Sequence, residues 1–524
     1  MNLYSLEGSS LNKKSAAPIA AVIEIGSNNV KLRVSQLSKG KIQTLDRLEY
    51  PIGLGHDVFE NGSVSFDSLR ELSAALSKFS AALLSYNIEK PRVVSCSALR
   101  EAKNRALVID QLKVRNGLDV EVLDDSQEKA YIYGEIMERL EQEQAVKGGA
   151  SLIAYVGAGS IGIAVFDGQQ AVYSQNIPIG PLKLHDALSK LRKGAQDFHC
   201  IVDEYMDLLL SRVDISAFRV QNLIVTGSQM GRVARLSGAR QEGEMVRLDV
   251  KKLISLYDEL RSMTAESIGL RYGMTEDKAA VLYTALFVYR GLLRFCPGAK
   301  EVVSPIADIS QGVMRYMLSP RADAQWAAYL RKNALACAEA TARSFGCDLE
   351  HSQRIGEFCC KIFDKLKKVH GLDPSRRLIL ELAATLHSCG SFVCVRQHSR
   401  CTFDMIKGMD IFGLSEAQVL QIALVAGSVN PSTEEDPELL LLSDKERLEA
   451  MKLEAMFRMA NALDKSHREK LRDLKISTDG DRVLFRAKAR ENTLLERWAF
   501  EEASQFFQNV FGLLPELAVK FEAL

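Results

Sequence analysis

The chain has no excess of either charge: Lys and Arg together number 67, as do Asp and Glu, in 524 residues. No overall field therefore draws it to nucleic acid or to a membrane surface, and any anion it binds must be held by local groups. It also lacks an uninterrupted apolar stretch of the ~18 residues a membrane helix needs, because Glu, Arg or Asp breaks the longest candidates. The ten cysteines form no regular CxxC pairs. That excludes a disulfide framework as the expectation and favours reduced thiols of the cytoplasm, mostly acting as small buried hydrophobes. Lys13-Lys14 followed by Ser15–Ile23 imitates a leader, but no small-residue cleavage pattern follows and the run passes straight into Glu24-Ile25-Gly26. It reads as the approach to a first strand.

Three glycine-bearing turns are what the sequence does contain: Gly26-Ser27-Asn28-Asn29, Gly157-Ala158-Gly159-Ser160 and Gly227-Ser228-Gln229-Met230-Gly231. Each directly follows an apolar run that reads as a strand, Ile19–Ile25, Leu152–Val156 and Asn222–Val225. Where a buried strand ends in a Gly/Ser turn, no Cβ blocks close approach and successive backbone N–H groups can face one anion. Three such turns in order predict a phosphate clamp between two related units.

Length alone predicts three or four domains. Residues 1–17 are polar and read as a loose tail. From Pro18 to about residue 137 strand-like runs alternate with helical ones, the sign of an α/β domain. Residues 138–316 repeat the plan of strand, glycine turn and strand over Leu152–Phe166. Strand signals nearly vanish over 317–472, which predicts an all-helical domain, and 473–524 reads as a small α+β unit.

Several segments resemble the exopolyphosphatase / guanosine pentaphosphate phosphohydrolase (Ppx/GppA) family. Ala21-Val22-Ile23-Glu24-Ile25-Gly26-Ser27-Asn28-Asn29 resembles its D-x-G-S-N-S signature, and Ser95-Cys96-Ser97-Ala98-Leu99-Arg100-Glu101-Ala102-Lys103-Asn104 its ATSATRDAxN segment. Asp125-Ser126-Gln127-Glu128-Lys129-Ala130 is similar to S-G-x-E-E-A, Ile177-Pro178-Ile179-Gly180 to LPMG, and Thr226-Gly227-Ser228 to GTSGT. Further on, His351-Ser352-Gln353-Arg354, Leu386-His387-Ser388-Cys389-Gly390 and Ala462-Leu463-Asp464-Lys465-Ser466-His467 resemble HD-type segments. The resemblance implies two actin-like (ASKHA, ribonuclease H-like) domains, then a helical HD-like domain and the small terminal unit.

The family's reaction is attack of water on the terminal phosphorus of polyphosphate or guanosine pentaphosphate. The resemblance makes Glu128 the group that activates water and Arg100 a phosphate contact, its planar fork matching two oxygens. Gly26, Ser27, Asn28, Gly157, Gly159, Ser160, Gly227 and Ser228 would form the clamp, and Glu24 would hold Mg2+ or Mn2+. By residue type alone, Arg100 reads as a surface ion pair, Glu128 as an exposed first-turn carboxylate, and Glu24 as a strand-end carboxylate facing solvent. The pattern breaks at the second turn, where D-x-G-G-G-S-T-E appears as Tyr155-Val156-Gly157-Ala158-Gly159-Ser160-Ile161-Gly162, so two carboxylates have become Tyr155 and Gly162. A segment resembling LREG is Ile309-Ser310-Gln311-Gly312, without its arginine, and the central His-Asp of an HD site is His387-Ser388. The expectation is thus an exopolyphosphatase-like hydrolase of the cytoplasm, a homodimer by resemblance, with no nucleic acid or membrane partner. Its alternatives are a catalytically weak sensor of polyphosphate or guanosine polyphosphate and, on fold alone, an actin-like ATPase or sugar kinase.

Overall fold

The apolar run Ile19–Ile25 is strand β1, and it makes an antiparallel meander with β2 (Asn29–Ser38) and β3 (Lys41–Pro51). This is seen in a computed structural model that describes residues 18–522 except 147, 193–197, 320 and 429–440. The tail expected over 1–17 lies outside the described residues. β4 (Arg92–Ser95) and β5 (Val120–Val122) add in parallel, giving the order β3-β2-β1-β4-β5.

Side chains alternate between the faces of a strand, and β1 and β2 divide cleanly. Ala21, Ile23, Ile25, Val30, Leu32 and Val34 pack with Leu72, Leu76 and Phe79 of helix Phe66–Leu84. Val22, Glu24, Lys31 and Arg33 share the opposite face, since Val22 pairs with Arg33 and Glu24 with Lys31 across the ladder. Helix Ile309–Leu318 covers that face, where Glu24 and Arg33 are buried and Lys31 is half-buried.

The second sheet comprises β6 (Ala150–Val156), β7 (Ile161–Asp167), β8 (Gln170–Ile177), β9 (Val220–Gly227), β10 (Arg240–Glu242), β11 (Met245–Asp249) and β12 (Glu301–Pro305). Its order is β10-β11-β12-β9-β6-β7-β8. It opens as the first sheet does, with an antiparallel meander and a parallel neighbour to the leading strand. The two leading turns close identically: Gly26 N–H donates to Asn29 O at 3.0 Å and Gly157 N–H to Ser160 O at 2.9 Å. A Cβ at either glycine would crowd that same carbonyl, at 3.0 and 3.1 Å respectively.

Helix Asp125–Gln142 packs against helix Ile309–Leu318 between the sheets. Val22, Val94, Ile132, Ile136, Ile153, Ile224 and Val313 form one apolar cluster there, so the sheets share a core. The expected cuts near 137 and 316 fall inside these two helices.

Beyond Leu318, helices Ala322–Ser344, Leu349–Lys365, Arg377–Leu386, His398–Lys407, Glu416–Gly427 and Asp444–Ala462 bury Ile355, Phe358, Leu380, Phe403, Ile422 and Phe457 among them. The cut near 472 falls at the start of β13 (Arg472–Asp479), which pairs antiparallel with β14 (Arg482–Ala489). Helix Leu494–Phe511 then leads to β15 (Leu514–Phe521), parallel to β14. Val483, Phe485 and Phe507 belong to the same apolar cluster as the helices, so this unit is built onto the bundle.

Candidate active site

Arg100 lies near the end of the short helix Ser97–Glu101 that follows β4. Its Nη1 donates to Leu123 O at 2.7 Å and to Glu128 Oε2 at 3.1 Å, while Nη2 donates to Asp125 Oδ1 at 2.9 Å. The partners come from helix Asp125–Gln142, whose start is fixed by a reciprocal capping box between Asp124 and Gln127. Residues three and four apart share a helix face, so Asp125, Glu128 and Lys129 stand together. Glu128 and Arg100 are therefore neither an exposed first-turn carboxylate nor a surface ion pair with Glu101; Glu128 is buried and paired to Arg100.

Lys129 reaches out of the same helix into the second sheet. Its Nζ lies 2.7 Å from Asp125 Oδ1, 2.7 Å from Ser160 Oγ and 3.7 Å from Glu128 Oε1, and the side chain is 1% exposed. Ser160 Oγ donates to Asp125 Oδ1 at 2.8 Å. Three donors, from helix Ser97–Glu101, from Lys129 on the same helix as Asp125 and from the second glycine turn, thus converge on one carboxylate oxygen, and that turn is fastened to the helix that carries Glu128. The Tyr155 ring faces the ammonium at 5.4 Å. Burial drives the Tyr155 hydroxyl well above its ordinary pKa, and Glu128 and Glu24 add to the effect.

The first turn joins the same place. Ser27 and Ser97 hydroxyls are 3.0 Å apart, and Ser27 O and Asn28 O accept the N–H groups of Gly55 and Ile52 at 2.7 and 2.9 Å. Gly159 presses against Ser97 and Phe59, where an added Cβ would lie 2.9 and 2.8 Å from their atoms. The third turn abuts the second: Gly227 has φ 152°, and a Cβ there would stand 2.1 Å from Val156 O. Gly227 also borders a cavity of about 490 Å³ with Met230, Arg235 and Ser304.

Glu24, at the end of β1, does not face solvent. Burial raises its carboxyl above the usual carboxylate range, against the pull of Lys31, whose Nζ lies 3.4 Å from Oε1. Glu24 Oε2 is buried with no hydrogen-bond partner among the described residues. That atom favours a ligand, but the surrounding donor set does not suit a hard divalent ion. Glu24 is paired to one ammonium, Glu128 to a guanidinium, and among the described residues no group of three His, Cys, Asp or Glu side chains is arranged to hold a metal.

The structure brings Arg100 and Glu128 together with the first two glycine turns, and the third turn abuts the second; the sequence reading had given no role to Asp125, Lys129 or Arg33. The signal for the first two was the Asp that opens the S-G-x-E-E-A-like segment and the Lys in place of its second acid. Arg33 donates from Nε to Ser310 Oγ and from Nη2 to Asp308 Oδ2, both at 2.8 Å. A guanidinium from β2 thereby reaches the segment that lacks its own arginine.

In the helical region, His351 Nδ1 and Asp464 Oδ2 are 2.8 Å apart, the His351 and His467 rings stack at 3.4 Å, and the His351 and His387 rings lie 5.4 Å apart. The dispersed HD-type residues do meet. Ser388 Oγ is buried, without a hydrogen-bond partner among the described residues, where the motif would supply a carboxylate.

The Ppx/GppA phosphatase family profile matches residues 33–307, and that of Ppx/GppA phosphatase domain III matches 335–503. A guanosine-5'-triphosphate,3'-diphosphate pyrophosphatase of Vibrio vulnificus (strain YJ016) is 20% identical over 482 residues, 89% of this chain and 91% of that protein. Its counterpart in Vibrio parahaemolyticus is 19% identical over 433 residues, 79% of this chain and 81% of that one. The crystal structure of an exopolyphosphatase from Cytophaga hutchinsonii superposes with a TM-score of 0.51 at 21% identity, over 57% of this chain and 98% of that one. At that identity the likeness speaks for the fold alone. The first profile alone spans more than half of the 524 residues, and the chain belongs to the Ppx/GppA phosphatase family.

Proposed function

We propose that this protein releases the terminal phosphate of inorganic polyphosphate or guanosine pentaphosphate in the cleft where the three glycine turns meet. The observation that carries this reading is the Arg100–Glu128 pair, 3.1 Å apart and buried beside two glycine turns from different sheets. Incoming phosphate oxygens compete with Glu128 and Asp125 for the Arg100 fork, which binds two oxygens at once. Glu128 is then released to accept a proton from water. The water oxygen bonds to the terminal phosphorus, the anhydride P–O bond breaks, and the electron pair leaves with the shortened chain. Backbone N–H groups of the Gly26 and Gly157 turns, with Ser160, neutralise charge on the transferred group.

The names of the similar proteins, a guanosine-5'-triphosphate,3'-diphosphate pyrophosphatase and an exopolyphosphatase, support this substrate class. Phosphate release from each substrate by the native protein and by Glu128→Gln tests the reading. A Glu128-dependent product supports it; release that Glu128→Gln leaves unchanged refutes it.

A further inference from the structure

We propose that the Lys129 ammonium is the resident cation of this clamp, standing where a divalent ion would otherwise neutralise the substrate, and that the protein takes its phosphoanion without such an ion. The inference rests on the reading of the cleft as a phosphate site.

Its place comes first. Nζ lies at the junction of the helix that bears Glu128 and the second glycine turn, 2.7 Å from both Asp125 Oδ1 and Ser160 Oγ. An ammonium has three N–H donors; two make these bonds, and the third has only the longer 3.7 Å contact to Glu128 Oε1, which a phosphate oxygen can replace. Lys129 is 1% exposed, so its charge is little screened by solvent.

The surroundings are shaped to it. At Gly162 a Cβ would lie 2.7 Å from Lys129 Cγ, 2.9 Å from Cδ and 2.5 Å from Tyr133 Oη. The lysine stem therefore runs through the space that any side chain at 162 would need. Tyr155 presents its ring at 5.4 Å, a cation–π arrangement. The two positions where the resemblance has carboxylates thus hold a gap for the stem and a ring for the charge. Losing those acids and gaining Lys129 are one structural change. A divalent ion would meet a buried ammonium here, and each nearby acid already has a cation: Asp125 has Lys129 and Arg100, Glu128 has Arg100, and Glu24 has Lys31.

The test is equilibrium binding of fluorescently labelled polyphosphate, and of guanosine pentaphosphate, to the full chain in excess chelator and in millimolar Mg2+. The proposal expects wild-type affinity to agree within about twofold between the two conditions. Lys129→Met should weaken binding ~10–100-fold in both, the size of one charge-assisted contact. Joint replacement of Lys129→Glu, Tyr155→Asp and Gly162→Glu should make binding depend on Mg2+. Wild-type binding that disappears in chelator and returns with Mg2+ overturns the proposal while leaving the phosphate-site reading intact, and it needs no variant to fold. Wild-type-like binding by a folded Lys129→Met also overturns it. Absence of binding by wild type in both conditions defeats the phosphate-site reading, and the proposal falls with it.

Discussion

Replacing Arg33 by Met should loosen the two sheets from one another. The guanidinium donates to Asp308 Oδ2 and Ser310 Oγ at 2.8 Å and to Thr44 Oγ1 at 3.0 Å, and its side chain is 6% exposed. Removing one partner of a buried ion pair costs ~3–5 kcal/mol, because the other charge stays buried alone. Asp308 is not wholly abandoned: Gln311 N–H at 3.0 Å and Ser310 Oγ at 2.6 Å still donate to it, with Arg47 at 4.0 Å. Those contacts reduce the expected loss to ~2–3 kcal/mol. For a unit of this size that is a fall of roughly 4–12 °C in the transition that melts the sheets, read by calorimetry. A double-mutant cycle with Asp308→Asn should return a coupling of ~1–3 kcal/mol. Acid should act through the same pair. Burial opposes ionisation of Asp308, but Arg33 and Ser310 outweigh it and hold the carboxyl below its ordinary 3.8. A depressed carboxylate contributes stability above its unfolded pKa and loses it as pH falls through the folded one, so the tie is intact at neutral pH and fails only in strong acid. Arg33→Met melting within about 1 °C of wild type, with no coupling to Asp308, would refute this reasoning.

Gly162→Ala should overpack Tyr133 and Lys129 and cost ~1–3 kcal/mol by denaturant titration, with polyphosphate binding falling alongside. Burial raises the Glu454 carboxyl to about 7 against the pull of Arg458. A raised carboxyl is held protonated by the fold, so its penalty develops as pH climbs from 4.5 and is complete above about 7. Glu454→Gln should then stabilise the helical region by up to ~3 kcal/mol at about pH 8 and change little at about pH 5, as thermal melts at the two pH values will show. Cys347 and Cys389 sulfurs lie 3.5 Å apart, and the hydrogen bond from Cys389 holds the Cys347 thiol below its ordinary pKa. Mass spectrometry after brief iodoacetamide treatment should find Cys347 alkylated ahead of the buried Cys359, and Cys389→Ala should slow the alkylation of Cys347.

The strands at 19–25 and 152–156, their glycine turns and the helical stretch after the second sheet were legible because each is a strong local signal, an apolar run stopped by Gly or a 3.6-residue period. Helix Asp125–Gln142 has few apolar residues, and the sequence reads it as a charged helix over 127–144. It is nevertheless buried over much of its length, because its charges find partners: Glu128 on Arg100, and Glu135 on Arg139 at 2.7 Å and Arg315 at 2.8 Å. Pairing such as Glu128 with Arg100 and Glu135 with Arg315, between residues far apart in the chain, leaves no periodic trace. The same is true of Arg33, which sits in an alternating strand and meets Asp308 only after the second sheet is complete. β15 escaped notice because Pro515, Glu516 and Lys520 interrupt its apolar residues and its partner β14 lies across a whole helix. Lys129 passed as part of a segment similar to a motif, since its meaning depends on the gap above Gly162, which the sequence alone does not show.

Phosphate release from long-chain polyphosphate and from guanosine pentaphosphate, compared between the native protein and Glu128→Gln, tests the central claim most directly. The account predicts release by the native protein that falls at least ~100-fold in the variant, within the range of general-base effects. Equal release by both proteins, or none by the native protein from either substrate, would contradict it.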